Sequence, residues 1–202
     1  MAFRVAQDVV DEFYRRHSTS ATLWELHATT LRYSVEILFR QAFADTAFPV
    51  RHRKRKTLRP SPHGPALMLA GMMIEDLAKA VLVSRSKTLL SKALLSHDLG
   101  KIVSATGYSA SSDEQDLLKR LSAFVRWAGR YPAPRKPTEM TVETSDGGRQ
   151  LVGGSLLGAD LRGIRQIADK LEVMLPGERV RRGMRLPTGN AKADPWRPRR
   201  GH

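Results

Sequence analysis

The segment from Ala66 to Val83 is apolar on nearly every face of a helix, and it constrains the fold more than any other feature of the sequence. Only Glu75, Asp76 and Lys79 interrupt this apolar character. A helix with so narrow a polar strip packs against neighbours on several sides. The segment is too short and too charged to span a membrane. It therefore predicts the central helix of a globular bundle.

Other stretches show the periodicity of amphipathic helices, and residues 21–43 show it most clearly. One face of that stretch carries Trp24, Ala28, Leu31, Val35, Leu38 and Ala42. Ser20 and Ser96 are predicted N-caps, and Ser112 with Gln115 makes a capping-box pattern. In addition to the central segment, the pattern predicts helices over 6–16, 21–43, 111–128 and 160–175. Residues 88–95 and 96–105 are predicted to form two short helical pieces or one kinked helix.

The remaining segments are rich in residues that end helices. Residues 131–157 contain many Pro, Gly, Ser and Thr residues and are predicted to form a long connection, with at best a short extended piece at Met140–Val142. No internal repeat and no convincing alternating strand is present. The sequence therefore predicts an all-α bundle of five to six helices over residues 1–175, with a basic loop at 44–64 and a basic, flexible C-terminal tail at 176–202.

The positive charge is concentrated in two segments. The chain of 202 residues has a net charge of +14, and residues 51–60 and 176–202 together carry 12 of those charges. Dense cations without acids can neutralise phosphates and release counterions, although such a loop can also serve only solubility. These segments predict binding to nucleic acid, RNA in particular, or to an acidic protein. The predicted contacts are Arg51, Arg53, Lys54, Arg55, Lys56, Arg59, Arg197, Arg199 and Arg200.

The absence of cysteine excludes disulfides, thiolate metal sites and a cysteine nucleophile. No apolar run approaches the ~20 residues that a membrane span needs. The region after Met1 is amphipathic and does not resemble a signal peptide. A cytoplasmic protein without a membrane partner and without a cofactor is expected.

The string LLSHDLGK (94–101) places His97 and Asp98 side by side at a predicted helix start. It resembles the metal-binding core of HD-domain phosphohydrolases, and that resemblance implies a site formed by His63, His97 and Asp98. A carboxylate–histidine metal site requires three or more converging ligands. The alternative is that the pair caps a helix and faces a loop.

A wider resemblance covers residues 23–175. The strings ALMLAGMMIEDLAKA (66–80), HDL (97–99), LLKRL (117–121) and FVRWAGRYP (124–132) resemble parts of HEPN domains. The first string contains Glu75 and, four residues later, Lys79. The resemblance implies an all-α HEPN-like bundle that forms a homodimer and works in a defence, toxin–antitoxin or regulatory system.

Many HEPN domains are metal-independent ribonucleases, and the resemblance implies a catalytic arginine and histidine. Their motif is an Arg followed four to six residues later by a His, and Arg85 and His97 are twelve positions apart. A divergent active site would combine His97 with Arg85, Arg126 or Arg130. The expected function is therefore RNA or acidic-partner binding without the usual ribonuclease motif. The alternatives are a divergent ribonuclease, a metal-dependent phosphohydrolase and a structural subunit whose apolar helix joins a partner.

Two pairs of polar residues have plainer interpretations. Glu75 and Lys79 lie one helical turn apart and are predicted to form an ion pair. The alternative is a polar group at a dimer or ligand groove. Arg130 follows a predicted helix end and is expected to bond the last carbonyls of that helix, while Trp127 packs in the core.

Overall fold

A computed structural model describes residues 6–47, 62–86, 96–153 and 158–176 of the chain. The described part is mostly helical, and its secondary structure agrees with the predicted all-α class except for one short hairpin. The elements, in chain order, are α1 (Gln7–Ser18), α2 (Ala21–Ala47), α3 (His63–Ser86), α4 (Leu99–Ala105), α5 (Ser112–Ala123), a π-helical turn (Phe124–Ala128), a 3-10 turn (Pro137–Met140), β1 (Thr141–Glu143), β2 (Arg149–Leu151) and α6 (Gly158–Val173). The helix predicted over 88–95 lies outside the described residues.

Helix α3 is the centre of the bundle, as the apolar segment predicts. It contacts α2, α4, α5, the π-helical turn and α6, and even Glu75, Asp76 and Lys79 are buried. The apolar character of α3 is therefore satisfied inside one chain. A structural subunit that joins a partner through this helix stays a prediction, for which the helix offers only partly buried apolar residues: Met68, Leu69, Met72 and Leu82.

Helix α2 packs along α3 through the predicted face. Ala28, Leu31, Val35 and Ala42 are buried, and Phe39 completes that row. Helix α2 begins at Ala21, where the hydroxyl of Ser20 accepts a hydrogen bond from the backbone N–H of Leu23 at 3.3 Å. The predicted cap at Ser20 is confirmed.

Two predicted caps are shifted along the chain. The capping box of α5 is formed by Ser111 and Glu114, so the predicted pair of Ser112 and Gln115 is wrong by one residue. Glu114 fits this role because its carboxylate also accepts a hydrogen bond from the Tyr108 hydroxyl at 2.7 Å. Helix α4 begins at Leu99 with Asp98 as its cap, where the sequence predicted Ser96.

The chain leaves α5 through the π-helical turn Phe124–Ala128, which the sequence does not predict. The N–H of Gly129 donates to the carbonyl of Phe124, five residues earlier, at 3.1 Å. Arg130 then donates to the carbonyls of Val125 and Arg126 at 2.7 and 3.1 Å. The predicted role of Arg130 as a helix-end cap is confirmed, and Trp127 packs against the core.

The segment predicted as a long connection contains an antiparallel hairpin. Strands β1 and β2 pair with Thr141 opposite Leu151 and Glu143 opposite Arg149. Ser145 in the hairpin turn donates to the carboxylate of Asp116 on α5 from both its N–H and its hydroxyl, at 3.0 and 2.7 Å. These bonds fasten the hairpin to the bundle.

Ion pairs attach α6 to its neighbours. Arg32 on α2 donates to Asp169 at 2.6 Å and to Glu172 at 2.5 Å, and Arg165 on α6 pairs with Glu36 at 2.5 Å. A further ion pair joins Arg120 on α5 to Asp160, and both side chains are buried. The last helix is thereby fixed against both α2 and α5.

A membrane-crossing helix is missing from the described part of the chain, where every helix is too short or too polar for that role.

Candidate functional site

The polar residues of α3 form a compact cluster in the middle of the bundle. Lys79 forms an ion pair with Glu75 one turn earlier, and both side chains are more than nine-tenths buried. The ammonium group of Lys79 also lies 5.1 Å from the centroid of the Trp24 ring. The predicted Glu75–Lys79 pair is confirmed, and its burial makes it more costly to disturb than an exposed pair.

His97 lies against this ion pair from the segment that precedes α4. Its Nδ1 is 2.9 and 3.0 Å from the two carboxylate oxygens of Glu75. The backbone of His97 has a φ of 57°, and within the described residues it is the one residue other than glycine with a positive φ. A left-handed conformation is uncommon for non-glycine residues and is found more often at functional sites.

The geometry of His97 suits proton transfer. A carboxylate only accepts hydrogen bonds, so Nδ1 donates in this contact, and in the neutral form of the ring Nε2 then carries the lone pair. The His97 side chain is 51% exposed, whereas the Glu75 side chain is 6% exposed. A histidine held through Nδ1 by a buried carboxylate, with an open ring, is the arrangement of a general base.

A second histidine–carboxylate pair lies next to the first. The Nδ1 of His27 on α2 is 2.6 Å from a carboxylate oxygen of Asp76, the residue that follows Glu75. The His27 side chain is 58% exposed and Asp76 is buried. Burial raises the pKa of Asp76, and the nearby charge of Glu75 raises it further. The hydrogen bond with His27 lowers the pKa of Asp76 but does not outweigh these effects.

Of the three predicted arginine partners, Arg126 is joined to the segment of His97 through the hydrogen bonds of Ser122. The hydroxyl of Ser122 accepts from the N–H of Leu99, and the carbonyl of Ser122 accepts from Nε of Arg126, at 3.0 and 3.2 Å. Arg126 is exposed. It is therefore linked through one residue to the beginning of α4.

Arg85 and Arg130 are held elsewhere. Arg85 donates to the carbonyl of Thr106 at 2.6 Å, at the opposite end of α4 from His97. It also lies ten residues beyond Glu75, about 15 Å along α3. Arg130 is engaged by its helix-end carbonyls, as described above. The structure therefore places Arg85 and His97 at opposite ends of α4 and does not bring them together.

The alternative metal site of His63, His97 and Asp98, which the HD-domain resemblance implies, is not assembled. His63 begins α3 and lies twelve residues, about 18 Å, before the carboxylate that His97 contacts. Asp98 accepts from the N–H of Lys101 at 3.2 Å as the cap of α4. Among the described residues, no group of three His, Cys, Asp or Glu side chains is placed to hold a metal ion.

An open groove of about 750 Å³ lies beside α4 and the beginning of α5. Its two lysines are paired with acids: Lys101 with Asp98 at 3.3 Å and Lys119 with Asp116 at 3.2 Å. The groove therefore lacks a concentrated charge that would select a ligand. Its lining is Gly100, Lys101, Val103, Ser104, Ala105, Tyr108, Ser109, Ala110, Gln115, Leu118 and Lys119.

Part of the cluster has no signal in the sequence. His27 is 49 positions from Asp76, and Trp24 is 55 positions from Lys79, so only the packing of α2 on α3 brings these residues together. The one available clue was that Asp76 interrupts an otherwise apolar segment. The predicted nucleic-acid contacts, from Arg51 to Arg59 and from Arg197 to Arg200, lie outside the described residues.

Comparison of the chain with protein-family models, with curated proteins and with solved structures gives no significant match.

Proposed function

We propose that this chain is a HEPN-like RNA-binding protein and that the Glu75–His97 pair is the centre of a divergent, metal-independent ribonuclease site. The observation that supports this proposal is the half-exposed imidazole of His97, held through Nδ1 by a buried carboxylate on a backbone with positive φ. His27 makes the same kind of contact, and the left-handed backbone, which is found more often at functional sites, distinguishes His97 from it. The proposal thus favours the divergent ribonuclease, one of the alternatives that the sequence leaves open, over RNA binding without catalysis.

The chemistry requires few groups. His97 Nε2 takes the proton from a ribose 2′-hydroxyl, and the 2′-oxygen attacks the adjacent phosphorus. The bond from phosphorus to the 5′-oxygen breaks as that oxygen takes a proton from solvent, and His97 then returns its own proton to solvent. Charge that develops on the phosphate oxygens needs a nearby cation. Arg126 is the exposed arginine best placed to supply that cation, since Lys79 is buried and already paired with Glu75.

The charge distribution supports RNA as the substrate class. Two segments carry 12 of the 14 net positive charges, so the chain attracts a polyanion independently of its sequence. Binding is expected to weaken by ~0.7 log units per log unit of salt for each contact with a single-stranded phosphate. Replacing Arg53, Lys54, Arg55 and Lys56 with Ser should flatten this dependence.

The test is incubation of the full chain with a labelled single-stranded RNA in EDTA. We expect cleavage to products with 2′,3′-cyclic phosphate ends, and no cleavage of DNA of the same sequence. His97→Ala should lower the rate by ~10²–10⁴-fold, the usual contribution of general acid–base catalysis. His63→Ala is the matched control because it removes a histidine about 18 Å from the site along α3, and its rate should equal that of the unmodified chain.

RNA that stays intact in EDTA would reject the catalytic part of the proposal. Cleavage that persists in His97→Ala would reject the assignment of the site. If the RNA stays intact, its salt-dependent binding would leave the simpler function, RNA binding in a defence, toxin–antitoxin or regulatory system. If an acidic protein competes for the same basic residues, it replaces RNA as the partner.

The homodimer predicted from the sequence remains part of this proposal, but its interface would have to lie on a surface other than the apolar face of α3. The apolar segment that motivated it is covered within one chain.

A further inference from the structure

The polar residues of α3 lie on the side of this helix that its neighbours cover least. At 3.6 residues per turn, Glu75, Lys79 and Asp76 span an arc of about 100°, with Lys79 between the two acids. We call this side the polar strip of α3 (Glu75, Asp76 and Lys79). The apolar residues of α3 that are only partly buried fall on the same side of the helix: Met68, Leu69, Met72 and Leu82.

Two exposed histidines border the polar strip from different elements. His97 contacts Glu75 at 2.9 Å from the segment before α4, and His27 contacts Asp76 at 2.6 Å from α2. Helix α2 also covers Lys79, because Trp24, one turn before His27, has its ring centroid 5.1 Å from the ammonium group. Both histidines are held through Nδ1, so Nε2 is the nitrogen that each of them has left for a substrate.

The spacing of the two acids suits a single phosphate group. Carboxyl groups that lie about 5–6 Å from a helix axis and 100° apart are separated by roughly 8 Å. A base and an acid on opposite sides of one phosphate, each about 3 Å from the oxygen that it serves, stand about 9 Å apart in the in-line geometry. Burial raises the pKa of Asp76, and the acids are close enough that the charge of Glu75 raises it further. Rings that extend side by side from these acids therefore reach both ends of one linkage.

The charges of the strip give the two histidines different roles. The charge of Glu75 is balanced by Lys79, so His97 stays neutral and is ready to accept a proton. Among the described residues, Asp76 forms a direct ion pair with His27 alone, so its charge is balanced only when the His27 ring is protonated. A neutral histidine and a protonated one are the forms that a general base and a general acid require.

We propose that His27 is the general acid of the site in which His97 is the base, an inference that rests on the proposed function. His27 Nε2 gives its proton to the 5′-oxygen as the bond from that oxygen to phosphorus breaks, in place of a proton from solvent. His97 Nε2 takes the proton of the 2′-hydroxyl, whose oxygen forms the new bond to phosphorus. The products are a 2′,3′-cyclic phosphate and a 5′-hydroxyl. The exposed rings then return to their first forms, because His97 releases one proton to solvent and His27 takes one up.

The test compares two substrates that differ in their need for an acid. Single-stranded RNA releases an alkoxide that requires a proton, whereas uridine 3′-(4-nitrophenyl phosphate) releases 4-nitrophenolate, which leaves as a stable anion. Both substrates carry the 2′-hydroxyl that the base must deprotonate. A variant without the general acid should therefore be slow on RNA alone, and a variant without the base should be slow on both.

The variant that tests the acid is His27→Asn, whose amide keeps an N–H donor for Asp76 but carries no proton to transfer near neutral pH. In EDTA it should cleave RNA ~10²–10⁴-fold more slowly than the unmodified chain and should cleave the nitrophenyl ester within about threefold of the unmodified rate. His97→Ala should lower both rates. Activity on the nitrophenyl ester also reports that the site of His27→Asn is folded.

His17→Ala is the matched control. His17 is also an exposed histidine, but its Nδ1 lies 2.8 Å from the carbonyl of Phe13 and not against a carboxylate. It belongs to α1, which has no buried residue, so its replacement leaves the core of the bundle unchanged. Both substrates should be cleaved by His17→Ala at the rates of the unmodified chain.

The outcomes separate this inference from the proposed function. RNA that stays intact with the unmodified chain rejects both. Cleavage that requires His97 but proceeds at the full rate in His27→Asn would overturn the role of His27 and leave the proposed function in place. Equal losses of His27→Asn on the two substrates would also overturn it, because they would show that His27 holds α2 against α3 and does not supply the proton.

Discussion

The carboxylate of Glu75 holds two cations or hydrogen-bond donors at once: it pairs with Lys79 on its own helix and contacts Nδ1 of His97 at 2.9 Å from a segment 22 residues later. One buried carboxylate therefore fixes both the charge balance inside the bundle and the position of an exposed imidazole. The two roles can be separated by substitution.

We expect Glu75→Gln to destabilise the fold by about 3–5 kcal/mol, because it leaves the ammonium of Lys79 buried without a counter-charge. The melting temperature should fall by on the order of 10 °C for a chain of this size. Replacing both partners, Glu75→Leu with Lys79→Met, should recover most of the loss, since no charge is then buried. A double variant less stable than the single one would contradict this account.

The capping box of α5 predicts a difference between two adjacent serines. Ser111→Ala should destabilise the protein by about 1 kcal/mol because the N–H of Glu114 loses its acceptor. Ser112→Ala should have an effect within about 0.5 kcal/mol, since Ser112 is an exposed residue of the first turn. Chemical denaturation of both variants measures the difference, and equal losses would argue against Ser111 as the cap.

Asp76 predicts a pH dependence of stability. Burial raises the pKa of Asp76 in the folded state, so its contribution is most favourable at low pH and is lost as the pH rises through that raised pKa. Asp76→Asn stays neutral and retains an oxygen that accepts from His27. The variant should therefore gain stability relative to the unmodified protein between acid and neutral pH, and the difference should vanish below the ordinary value of 3.8.

Asp116 is the control with the opposite sign. Burial raises its pKa, but the hydrogen bonds from Ser145 and Lys119 outweigh this effect, so the pKa of Asp116 is lowered. Its contribution is present above the unfolded value and is lost as the pH falls. Asp116→Asn should therefore destabilise at neutral pH and lose that effect in acid. Melting curves across this range that show the same sign for both variants would contradict the assignment.

Gly71 permits the close contact between α3 and α5. A Cβ at this position would lie 2.5 Å from a methyl group of Val125 and 3.2 Å from the carbonyl of Leu121. Overpacking of this kind costs about 1–3 kcal/mol, partly offset by the ~1 kcal/mol that alanine gains over glycine within a helix. Gly71→Ala should therefore lower the free energy of unfolding, whereas Gly153→Ala, with nothing within 4 Å, should not.

The helical core was predictable because its signals are local and repeated. The apolar segment around Ile74 and the spaced residues from Ala28 to Ala42 predict burial over several turns. The hairpin was not predictable because strands of three residues are too short to show alternation. The cap of α5 was ambiguous for a different reason: Ser111 with Glu114 and Ser112 with Gln115 match the same pattern, and only the contact of Glu114 with Tyr108 distinguishes them.

The candidate site was predictable only in part. His97, Glu75 and Lys79 were each singled out, because a charged residue in an apolar segment and a histidine before a helix are visible in a sequence. The contact between these three residues was not predictable, since it depends on the turn that brings His97 back to α3. The contact of His27 with Asp76 depends in the same way on how α2 packs on α3.

The contact between α3 and α6 has a consequence for how the chain is made. Helix α6, which packs on one side of α3, begins at Gly158, more than 70 residues after α3 ends at Ser86. At a synthesis rate of about 5–20 residues per second, α3 leaves the ribosome roughly 4–17 s before α6 is complete. During that interval the side of α3 that packs on α6 faces water, and a chain truncated before α6 would keep that side exposed permanently. Loss of the last helix should thus lead to aggregation in the cell, whereas deletion of the first helix should leave the core of the bundle intact.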